Sequence, residues 1–287
     1  MEIDRRSKLS LEEFEVEYAA RGRPVLLTDA TDHWPARSKW TLDWFAERFP
    51  DKQVKFDHKT WTIGALIREL KASQGSRTQT VPYLKMVKVD EQFQELRADI
   101  GELAFAKHNR LGSRLLPRSM RIDRGHVAVF VGTRGSGFRT LHWDYSYLHV
   151  FISQIFGDKD VIVFRPEDSP HLYPKPDNAN LSTLPDPFEV DLQQFPSFAK
   201  AEETRFTIKQ GETLFLPGGW WHATYIDQPN IAIAESTLDH FNWQQRADWY
   251  LEAFARAGVS AAKRHALAVY MKAADRLLGL REHLPGR

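Results

Sequence analysis

The sequence contains no cysteine among its 287 residues. Disulfide bonds, cysteine nucleophiles and thiolate metal sites are therefore excluded for this chain. Any metal ion that the chain binds must be held by histidine, aspartate or glutamate.

The chain also lacks a long apolar run and a large net charge. It has no stretch of 18 apolar residues, and its charged start, Met1 to Arg6, is followed by no apolar segment. We therefore expect no transmembrane helix and no signal peptide. The formal net charge of +1 gives no electrostatic reason to bind nucleic acid or an acidic membrane. These absences predict a cytoplasmic protein with neither of those partners.

The composition of the chain is sufficient for a packed hydrophobic core. Hydrophobic residues make up 42% of the chain and aromatic residues 12%. A chain of this length exceeds one ordinary domain, although single β-barrel domains of about 200–250 residues are common. We predict a larger domain over 1–240 and a smaller helical unit over 241–287.

The first hundred residues alternate between helical and extended patterns. Ser10 and Glu13 form a capping-box pattern, and Thr62 is placed to cap a second helix. The predicted elements are a helix over 10–20, a strand over 24–28, a helix over 41–49, a strand over 53–56, a helix over 63–72, a strand over 81–87 and a mostly solvated helix over 92–107.

Strand patterns dominate from residue 126 to residue 236, with one long interruption. Seven prolines fall within 166–203. Proline cannot donate to a β-ladder, so we predict a loop there, and loops of this length inside a domain are usually functional or disordered. We place this loop at the substrate entrance, with Tyr173 and Phe188 as residues that affect substrate turnover.

Two amphipathic helices follow from residue 242, and Gly258 and Gly279 are predicted to end them. Trp249, Phe254, Tyr270 and Leu278 exceed what the contact between two such helices buries. Either the barrel or a second subunit must cover them. We predict a homodimer formed through these helices.

Three residues form a candidate metal site. If Thr140 to Asp144 is a β-strand, the side chains of His142 and Asp144 point to the same face. His222 follows a later strand pattern and a Gly-Gly turn. Two histidines and one carboxylate on one side of a metal ion leave open positions, as non-haem Fe(II) requires. The alternative is an ordinary strand-surface pair and a histidine packed beneath two tryptophans.

A strand-borne His-x-Asp pair, an inner lysine and a distal histidine on a later strand form the pattern of a double-stranded β-helix. Four motifs carry a more specific resemblance. They are His142-Trp-Asp144, Gln154-Ile-Phe-Gly-Asp-Lys159, Phe164-Arg-Pro166 with Leu172-Tyr-Pro174, and the run from Gly211 to His222. Over roughly residues 9 to 240 the chain resembles the JmjC-type, cupin-like Fe(II)/2-oxoglutarate oxygenases. Within them it is similar to the factor-inhibiting-HIF asparaginyl hydroxylase and the JmjC lysyl hydroxylases.

The resemblance implies a mainly β fold with flanking α elements. Its core would be a double-stranded β-helix of the jelly-roll or cupin kind, with α/β elements before it and the helical hairpin after it. It also implies Fe(II) as metal, 2-oxoglutarate as cosubstrate and O₂. The metal ligands would be His142, Asp144 and His222.

The resemblance also assigns residues to the cosubstrate. Lys159 would bind the distal carboxylate of 2-oxoglutarate, and Tyr83 matches a tyrosine that shares this contact. Relatives usually have a threonine three residues before the first metal histidine, whereas this chain has Arg139 there with Thr140 next to it. Either side chain could reach the carboxylate, and both stay candidates.

Substrate contacts are less well defined by the sequence. The asparagines that some relatives have are absent, and Val150 and Ser236 fall nearest to their places. Half-buried strand aromatics more often serve packing than binding. The candidate substrate residues are Tyr145, Tyr147, His149, Tyr173, Trp221 and Ser236.

The predicted function is hydroxylation of a protein or peptide side chain, with conversion of 2-oxoglutarate to succinate and CO₂. The same chemistry on a small metabolite or natural-product intermediate is one alternative. Removal of N-methyl groups is a second, and a cupin that binds metal and ligand without turnover is a third.

Overall fold

The computed structural model describes residues 1–73 and 81–282, and two facing β-sheets form its centre. The larger sheet has seven strands in the order β1-β2-β10-β7-β12-β6-β5, and the smaller has the order β11-β8-β9. A separate hairpin pairs β3 with β4. The strands are β1 (Asp4–Arg6), β2 (Val25–Leu27), β3 (Gln53–Phe56), β4 (Lys59–Thr62), β5 (Leu84–Lys88), β6 (Val127–Gly132), β7 (His149–Phe156), β8 (Lys159–Phe164), β9 (Thr204–Ile208), β10 (Thr213–Leu216), β11 (Trp221–Tyr225) and β12 (Asn230–Thr237).

Side chains alternate between the two faces of the larger sheet, as a half-buried strand requires. In β7, Val150 and Ile152 point into the space between the sheets, whereas Phe151 and Ile155 point outward. The outward face is not solvated, because the N-terminal elements cover it and form the largest hydrophobic cluster with it. The predicted mainly β, jelly-roll architecture with flanking helices is confirmed.

Most of the predicted N-terminal elements are present. The capping box forms as expected, with the Glu13 backbone N–H donating to Ser10 Oγ at 3.1 Å. The helix that it starts changes to a π-helical turn at Glu15–Ala19. The α-helices are α1 (Leu11–Phe14), α2 (Ala36–Lys39), α3 (Leu42–Arg48), α4 (Ile63–Ala72), α5 (Val89–Gln92), α6 (His240–Arg256) and α7 (Ala261–Glu282).

The predicted solvated helix over 92–107 was wrong. Only α5 and two short 3₁₀ turns, Gln94–Asp99 and Ala104–Ala106, form in this region. The chain leaves helical geometry at Phe93, whose φ is −142°. That break buries the Phe93 ring against Phe49, with ring centroids 4.8 Å apart. Burial of a phenylalanine is worth about 1.5–3 kcal/mol, which outweighs the helix propensity of the segment.

The strand-like segment 154–164 is two strands joined by a sharp corner. The chain passes from the larger to the smaller sheet at Gly157, which has a φ of +68°. A Cβ atom there would lie 2.1 Å from the carbonyl oxygen of Pro229, so only glycine fits. The corner places Lys159 at the first position of β8.

The proline-rich segment 166–203 contributes no strand to the described sheets, as predicted, and contains two 3₁₀ turns. Its centre is nevertheless ordered by backbone bonds. Ser182 N–H donates to the Leu141 carbonyl at 2.9 Å, and Trp143 N–H donates to the Asn180 carbonyl at 3.1 Å. The loop therefore lies directly beside the stretch that carries His142.

The C-terminal helices form a hairpin that packs on residues 111–122 of the same chain. Tyr270 donates its hydroxyl hydrogen to the Leu115 carbonyl at 2.8 Å, and Phe254 and Leu278 are partly buried in the same cluster. Residues 111–122 thus cover part of the apolar surface that the two helices do not bury against each other. Within the described ranges, no helix is long and apolar enough to cross a membrane.

Helix α7 does not end at Gly279, as predicted, but continues to Glu282. The reason is an ion-pair cluster at its last turn. The guanidinium of Arg110, buried beneath the hairpin, binds Asp275 at 2.6 Å and holds both oxygens of Glu282 at 2.7 and 2.5 Å. Asp275 precedes Gly279 and Glu282 follows it, so these bonds hold the helix on both sides of the glycine.

We expect Arg110→Ala to lower the free energy of unfolding by about 3 kcal/mol, because it removes the cation of a largely buried cluster. Urea denaturation measures the change. Arg118→Ala is the matched control, since Arg118 is exposed and forms no ion pair among the described residues. Equal, small effects of the two substitutions would mean that α7 is held by apolar contacts alone.

Candidate active site

The structure brings His142, Asp144 and His222 together. One ligand atom from each lies within 4.8 Å of the others. His142 and His222 are paired by two backbone hydrogen bonds, of 3.1 and 2.7 Å. Thr140 to Asp144 is not a regular strand, because only His142 forms β-bridges. That one bridge to β11 is sufficient to fix the first histidine opposite the second.

Backbone carbonyls orient both imidazole rings. The Nδ1–H of His142 donates to the Thr140 carbonyl at 2.8 Å, and the Nδ1–H of His222 donates to the Trp220 carbonyl at 3.1 Å. With Nδ1 protonated, each ring keeps Nε2 free as a metal ligand. Such supporting bonds are usual for metal-binding histidines.

The protonation states fit a metal site. Burial lowers the pKa of His142 and of His222 to about 4, so both rings are neutral near pH 7. Burial raises the pKa of Asp144, while His142 and Lys88 act in the opposite direction. Among the described residues, no hydrogen-bond donor contacts the Asp144 carboxylate. A half-buried carboxylate without a donor is stabilised when a cation binds beside it.

The triad lines a cavity of about 260 Å³ between the two sheets. Eight of its 20 lining residues are apolar, three are the triad, and the other nine carry a polar atom. The apolar part consists of Met86, Ala128, Phe130, Phe138, Val150, Ile152, Leu181 and Ala234.

Lys159 lines the same cavity and is 3% exposed. No carboxylate or hydrogen-bond acceptor of the described residues pairs with its ammonium, which lies 5.7 Å from the ring centroid of Phe130. Burial lowers the pKa of Lys159 to about 7. An unpaired buried cation is costly, and an anionic ligand in the cavity would offset that cost.

The strand register sets the order of residues along this wall. His222 lies opposite Val163 and Thr224 opposite Val161, so His222, Thr224 and Lys159 follow one another on one sheet face. Thr224 Oγ1 accepts the backbone N–H of Phe138 at 3.0 Å, which leaves its hydroxyl hydrogen free to donate. The sequence contains the signal for Thr224, since it stands two residues after His222 on a strand.

Tyr83 lies in the cavity as well, whereas Arg139 and Thr140 do not line it. The Tyr83 ring packs near Phe130, and burial raises the pKa of its hydroxyl. Arg139 instead forms an ion pair with Asp186, and Thr140 is exposed. The sequence left Arg139 and Thr140 as candidates for the contact with the 2-oxoglutarate carboxylate. Neither of them lines the cavity that contains Lys159.

The predicted substrate residues divide into two groups. Tyr145 and Ser236 line the metal cavity, and Tyr147 lies beside Trp143 with ring centroids 4.5 Å apart. The other three are used by the fold. His149 Nδ1 accepts the Gly218 N–H, Trp221 Nε1–H donates to Ser169 Oγ, and the Tyr173 hydroxyl accepts the Ser197 N–H. Phe188 likewise packs in the cluster that contains Trp221.

Several cavity residues had no signal in the sequence. Asn180 and Leu181 reach it from the middle of the proline-rich loop, and Lys88 and His126 reach it from the ends of β5 and β6. The loop thus touches the cavity through residues other than Tyr173 and Phe188. Their position depends on the backbone pairing between the loop and Leu141 to Trp143, which is a tertiary contact.

Two residues after Asp144, the chain makes a strained turn. Ser146 and Tyr147 both have φ near +57° (58° and 57°), a region that non-glycine residues enter at a cost of about 1–3 kcal/mol each. Helix α6 holds the turn: Arg246 bonds to Ser146 Oγ, and Asn242 donates to the Tyr147 carbonyl at 3.0 Å. The C-terminal helices therefore shape the rim of the cavity.

Comparisons with known proteins agree with this geometry. A family model described as a cupin-like domain matches residues 11–235. The chain is 25% identical over 240 residues to Jumonji C domain-containing protein 5 of Drosophila melanogaster, covering 78% of this chain and 57% of that protein. It is 25% identical over 245 residues to Lysine-specific demethylase 8 of Xenopus tropicalis, covering 79% and 50%. It is 22% identical over 251 residues to tRNA wybutosine-synthesizing protein 5 of Homo sapiens, covering 80% and 76%.

The chain spans only about half the length of the first two of these relatives. The range 11–235, which the family model matches, nevertheless includes the three triad residues and Lys159. The chain belongs to the cupin-like JmjC family of oxygenases, whose cofactors are Fe(II), 2-oxoglutarate and O₂.

Proposed function

We propose that the protein is an Fe(II)- and 2-oxoglutarate-dependent hydroxylase that acts on a side chain of a protein or peptide. The observation that carries this proposal is the charge pattern of one cavity. Two neutral histidines and a carboxylate lie at one end. The ammonium of Lys159, which has no partner among the described residues, lies farther along the same wall. This arrangement suits a dicarboxylate bound to a metal ion at one end and to a lysine at the other.

In this proposal, His142, Asp144 and His222 hold the metal ion and leave the opposite positions free. Bound Fe(II), with 2-oxoglutarate and O₂, supplies the oxidising chemistry that inserts an oxygen atom into a substrate C–H bond and yields succinate and CO₂. Lys159 binds the distal carboxylate, and the apolar walls exclude water around it. Exclusion of water strengthens the ion pair, because charges interact more strongly at a low dielectric constant.

We assign Thr224 a hydrogen bond to the same carboxylate, in the role that the sequence left to Arg139 or Thr140. Thr224→Val keeps the side-chain volume but removes the donor. We expect it to weaken 2-oxoglutarate binding by about 1.5 kcal/mol, the size of a hydrogen bond to a charged group. Calorimetric titration with Mn(II) in place of Fe(II) measures this binding without turnover.

Thr140→Val is the matched control for that titration. Thr140 is exposed and lies outside the cavity lining, so its loss should leave the affinity unchanged. The opposite result, a loss in Thr140→Val but none in Thr224→Val, would return the contact to Thr140.

The test of the proposed function is 2-oxoglutarate turnover by the full chain with Fe(II) and O₂, with and without peptide pools. Succinate formation together with a peptide that gains one oxygen atom supports hydroxylation. Release of formaldehyde would instead support N-methyl removal, the activity in the name of the Xenopus relative. Succinate stimulated only by small metabolites would replace the peptide substrate. No succinate under any condition would leave a cupin that binds without turnover.

We further propose that the protein forms a homodimer through α7. Val269, Leu277 and Leu280 on this helix are 55%, 42% and 68% exposed, although the hairpin is already packed on its own barrel. Residues 269, 273, 277 and 280 recur at helical spacing, so they form one stripe. A second copy of the same helix would cover the stripe symmetrically.

We expect the full chain to have the mass of a dimer by light scattering at micromolar concentration. The double variant Leu277→Asp, Leu280→Asp should have the mass of a monomer, because each copy would bring two carboxylates into the interface, where they would face those of the other copy. Val16→Asp is the control, since Val16 is 53% exposed and lies outside α7. A monomeric full chain would remove the proposal.

A further inference from the structure

We propose that the first two turns of helix α6 position the metal ligands, with Arg246 and Asn242 as the positioning residues. This inference rests on the metal site of the proposed function and adds two residues that lie outside the triad. Both bond to the turn that directly follows Asp144. They fix the backbone from which the Asp144 carboxylate projects.

The orientation of the Asp144 carboxylate depends on its own backbone. Backbone carbonyls orient the rings of His142 and His222, whereas no hydrogen-bond donor among the described residues contacts the carboxylate. Asp144 has an extended backbone, with φ of −64° and ψ of 131°, and a tight turn begins at the next residue. A change in that turn would therefore move the carboxylate relative to the two histidines.

The turn after Asp144 has a backbone conformation that must be held from outside. Ser146 has φ of 58° and ψ of 35°, and Tyr147 has φ of 57°. This left-handed region is uncommon for residues that carry a side chain. Such residues persist only where surrounding contacts hold them, and they occur mainly at functional sites. Because Ser146 is fully buried, the contacts that hold it come from the protein and not from water.

Helix α6 supplies these contacts from one of its faces. Arg246 donates to Ser146 Oγ, and Asn242 Nδ2–H donates to the Tyr147 carbonyl at 3.0 Å. Arg246 and Asn242 stand four positions apart, so their side chains leave the helix on the same side. Each of the two strained residues therefore has its own bond to α6.

The start of the same helix also reaches the turn that leads to His222. Its N-cap residue, Asp239, lies 3.6 Å from His149 Nε2, and His149 Nδ1 accepts the Gly218 N–H at 2.8 Å. The two turns are in direct contact, because a Cβ atom on Gly218 would lie 2.2 Å from the Tyr147 carbonyl oxygen. That carbonyl is the one bonded to α6. One helix end thus contacts both arms of the metal site.

Arg246 is a costly residue for a buried helix face. It is 1% exposed, and among the described residues no carboxylate pairs with its guanidinium and its Nε–H has no acceptor. An apolar side chain of similar volume would pack at such a place at a lower cost. Natural proteins depart from such packing rules mainly at functional sites. The bonds that Arg246 does make, to Ser146 Oγ and to the Met120 carbonyl, tie the turn to the body of the domain.

Titration of the full chain with Co(II) in place of Fe(II) tests the proposal without turnover, because the visible absorption of Co(II) reports its coordination geometry. In Arg246→Ala the affinity for Co(II) should fall on the order of tenfold, the lower end of what loss of a supporting contact costs a metal site. The absorption bands should shift as well. Arg246→Lys can still donate to Ser146 Oγ and should recover part of the affinity.

The matched control is Arg110→Ala. This substitution also removes a buried guanidinium beneath the helical hairpin, but Arg110 bonds to Asp275 and Glu282 of α7 and not to the turn. It lowers the stability of the hairpin without touching the metal arms. We therefore expect the affinity for Co(II) and the absorption spectrum to match those of the wild type.

A pair of substitutions at Ser146 tests the turn itself. Ser146→Ala removes the acceptor of Arg246 and keeps a side chain in the left-handed region, so it should lose affinity for Co(II). Ser146→Gly removes the same acceptor, but glycine adopts positive φ without strain and should retain more of the affinity. A purely structural role would give the reverse order, because glycine adds conformational freedom to the unfolded chain.

Three results would overturn the inference. They are a wild-type affinity and spectrum in Arg246→Ala, an equal loss in Arg110→Ala, and equal affinities of the two Ser146 variants. Circular dichroism checks the fold of each variant before titration, and the Ser146 pair decides the question if Arg246→Ala does not fold.

Failure of the proposed function would look different. A wild-type chain that binds Co(II) but forms no succinate with Fe(II) would remove the oxygenase activity and leave the positioning role standing. A wild-type chain that binds no Co(II) would remove the metal site and both proposals with it.

Discussion

The variant His222→Ala should lose 2-oxoglutarate turnover completely while keeping its fold. His222 supplies one of three ligands, and the remaining pair, His142 and Asp144, lacks the geometry to retain Fe(II). Loss of a bond that merely supports a ligand weakens metal binding by about 10–100-fold, so loss of the ligand itself should cost more. Anaerobic titration with Fe(II) measures the metal affinity, and succinate formation measures turnover.

The fold should survive because the backbone of His222 makes the pairing that matters for β11. Its N–H and C=O bond to His142, and neither bond involves the imidazole. The control is His171→Ala, which removes a partly buried histidine that is bonded to Ser197 and lies outside the triad. It should bind Fe(II) normally. Succinate production near the wild-type level in His222→Ala would remove the triad assignment.

Structural features that depend on local sequence patterns could be predicted from the sequence, whereas features that depend on tertiary contacts could not. The barrel strands carry period-2 alternation, the N-caps Ser10 and Thr62 carry their own signature, and the triad lies within recognisable motifs. Each of these is encoded within a few neighbouring residues. All of them were predicted. The caps form, and His142, Asp144 and His222 lie together, although Thr140 to Asp144 is not a regular strand.

The features that the sequence did not predict depend on distant residues. The segment after Phe93 has helical propensity, but burial of its aromatic side chain against α3 breaks the helix. Gly279 resembles a helix stop, yet Arg110, far away in the chain, holds the following turn in place. Asn180 reaches the cavity because a loop pairs with the His142 stretch. No window of local sequence contains this information.

The second large effect is expected at Lys159. Lys159→Met keeps a long apolar side chain but removes the only charge that we assign to the distal carboxylate. We expect 2-oxoglutarate binding to weaken by about 2–5 kcal/mol, the cost of removing one partner of a buried charge pair. Metal affinity should hardly change, since Lys159 is not one of the grouped ligands. An unchanged affinity for 2-oxoglutarate would transfer the role to Arg139 or to another cation, of which Lys88 lines the same cavity.

Lys159 also makes cosubstrate binding depend on pH. Burial lowers the pKa of its amine to about 7, so in the protein without cosubstrate the ammonium is lost as the pH rises through 7. The carboxylate binds the ammonium form, so binding above pH 7 requires uptake of a proton, and the affinity should fall by up to about tenfold per pH unit. Lys159→Arg keeps its charge over this range and should show a flat profile, even if its affinity is lower.

The buried ammonium of Lys159 should lower the free energy of unfolding when no cosubstrate is bound. Because the folded pKa of about 7 lies below the ordinary lysine value of 10.5, the unfolded chain binds more protons between these two pH values. The free energy of unfolding of the wild type should therefore rise as the pH increases from 7 to 10.5. Below pH 7 the full cost of burying the ammonium remains. Lys159→Met lacks the penalty, so we expect it to be more stable than the wild type at pH 6, with a smaller difference at pH 9. Urea denaturation at the two pH values measures both differences, and equal stabilities throughout would mean that the ammonium already has a partner in the folded protein.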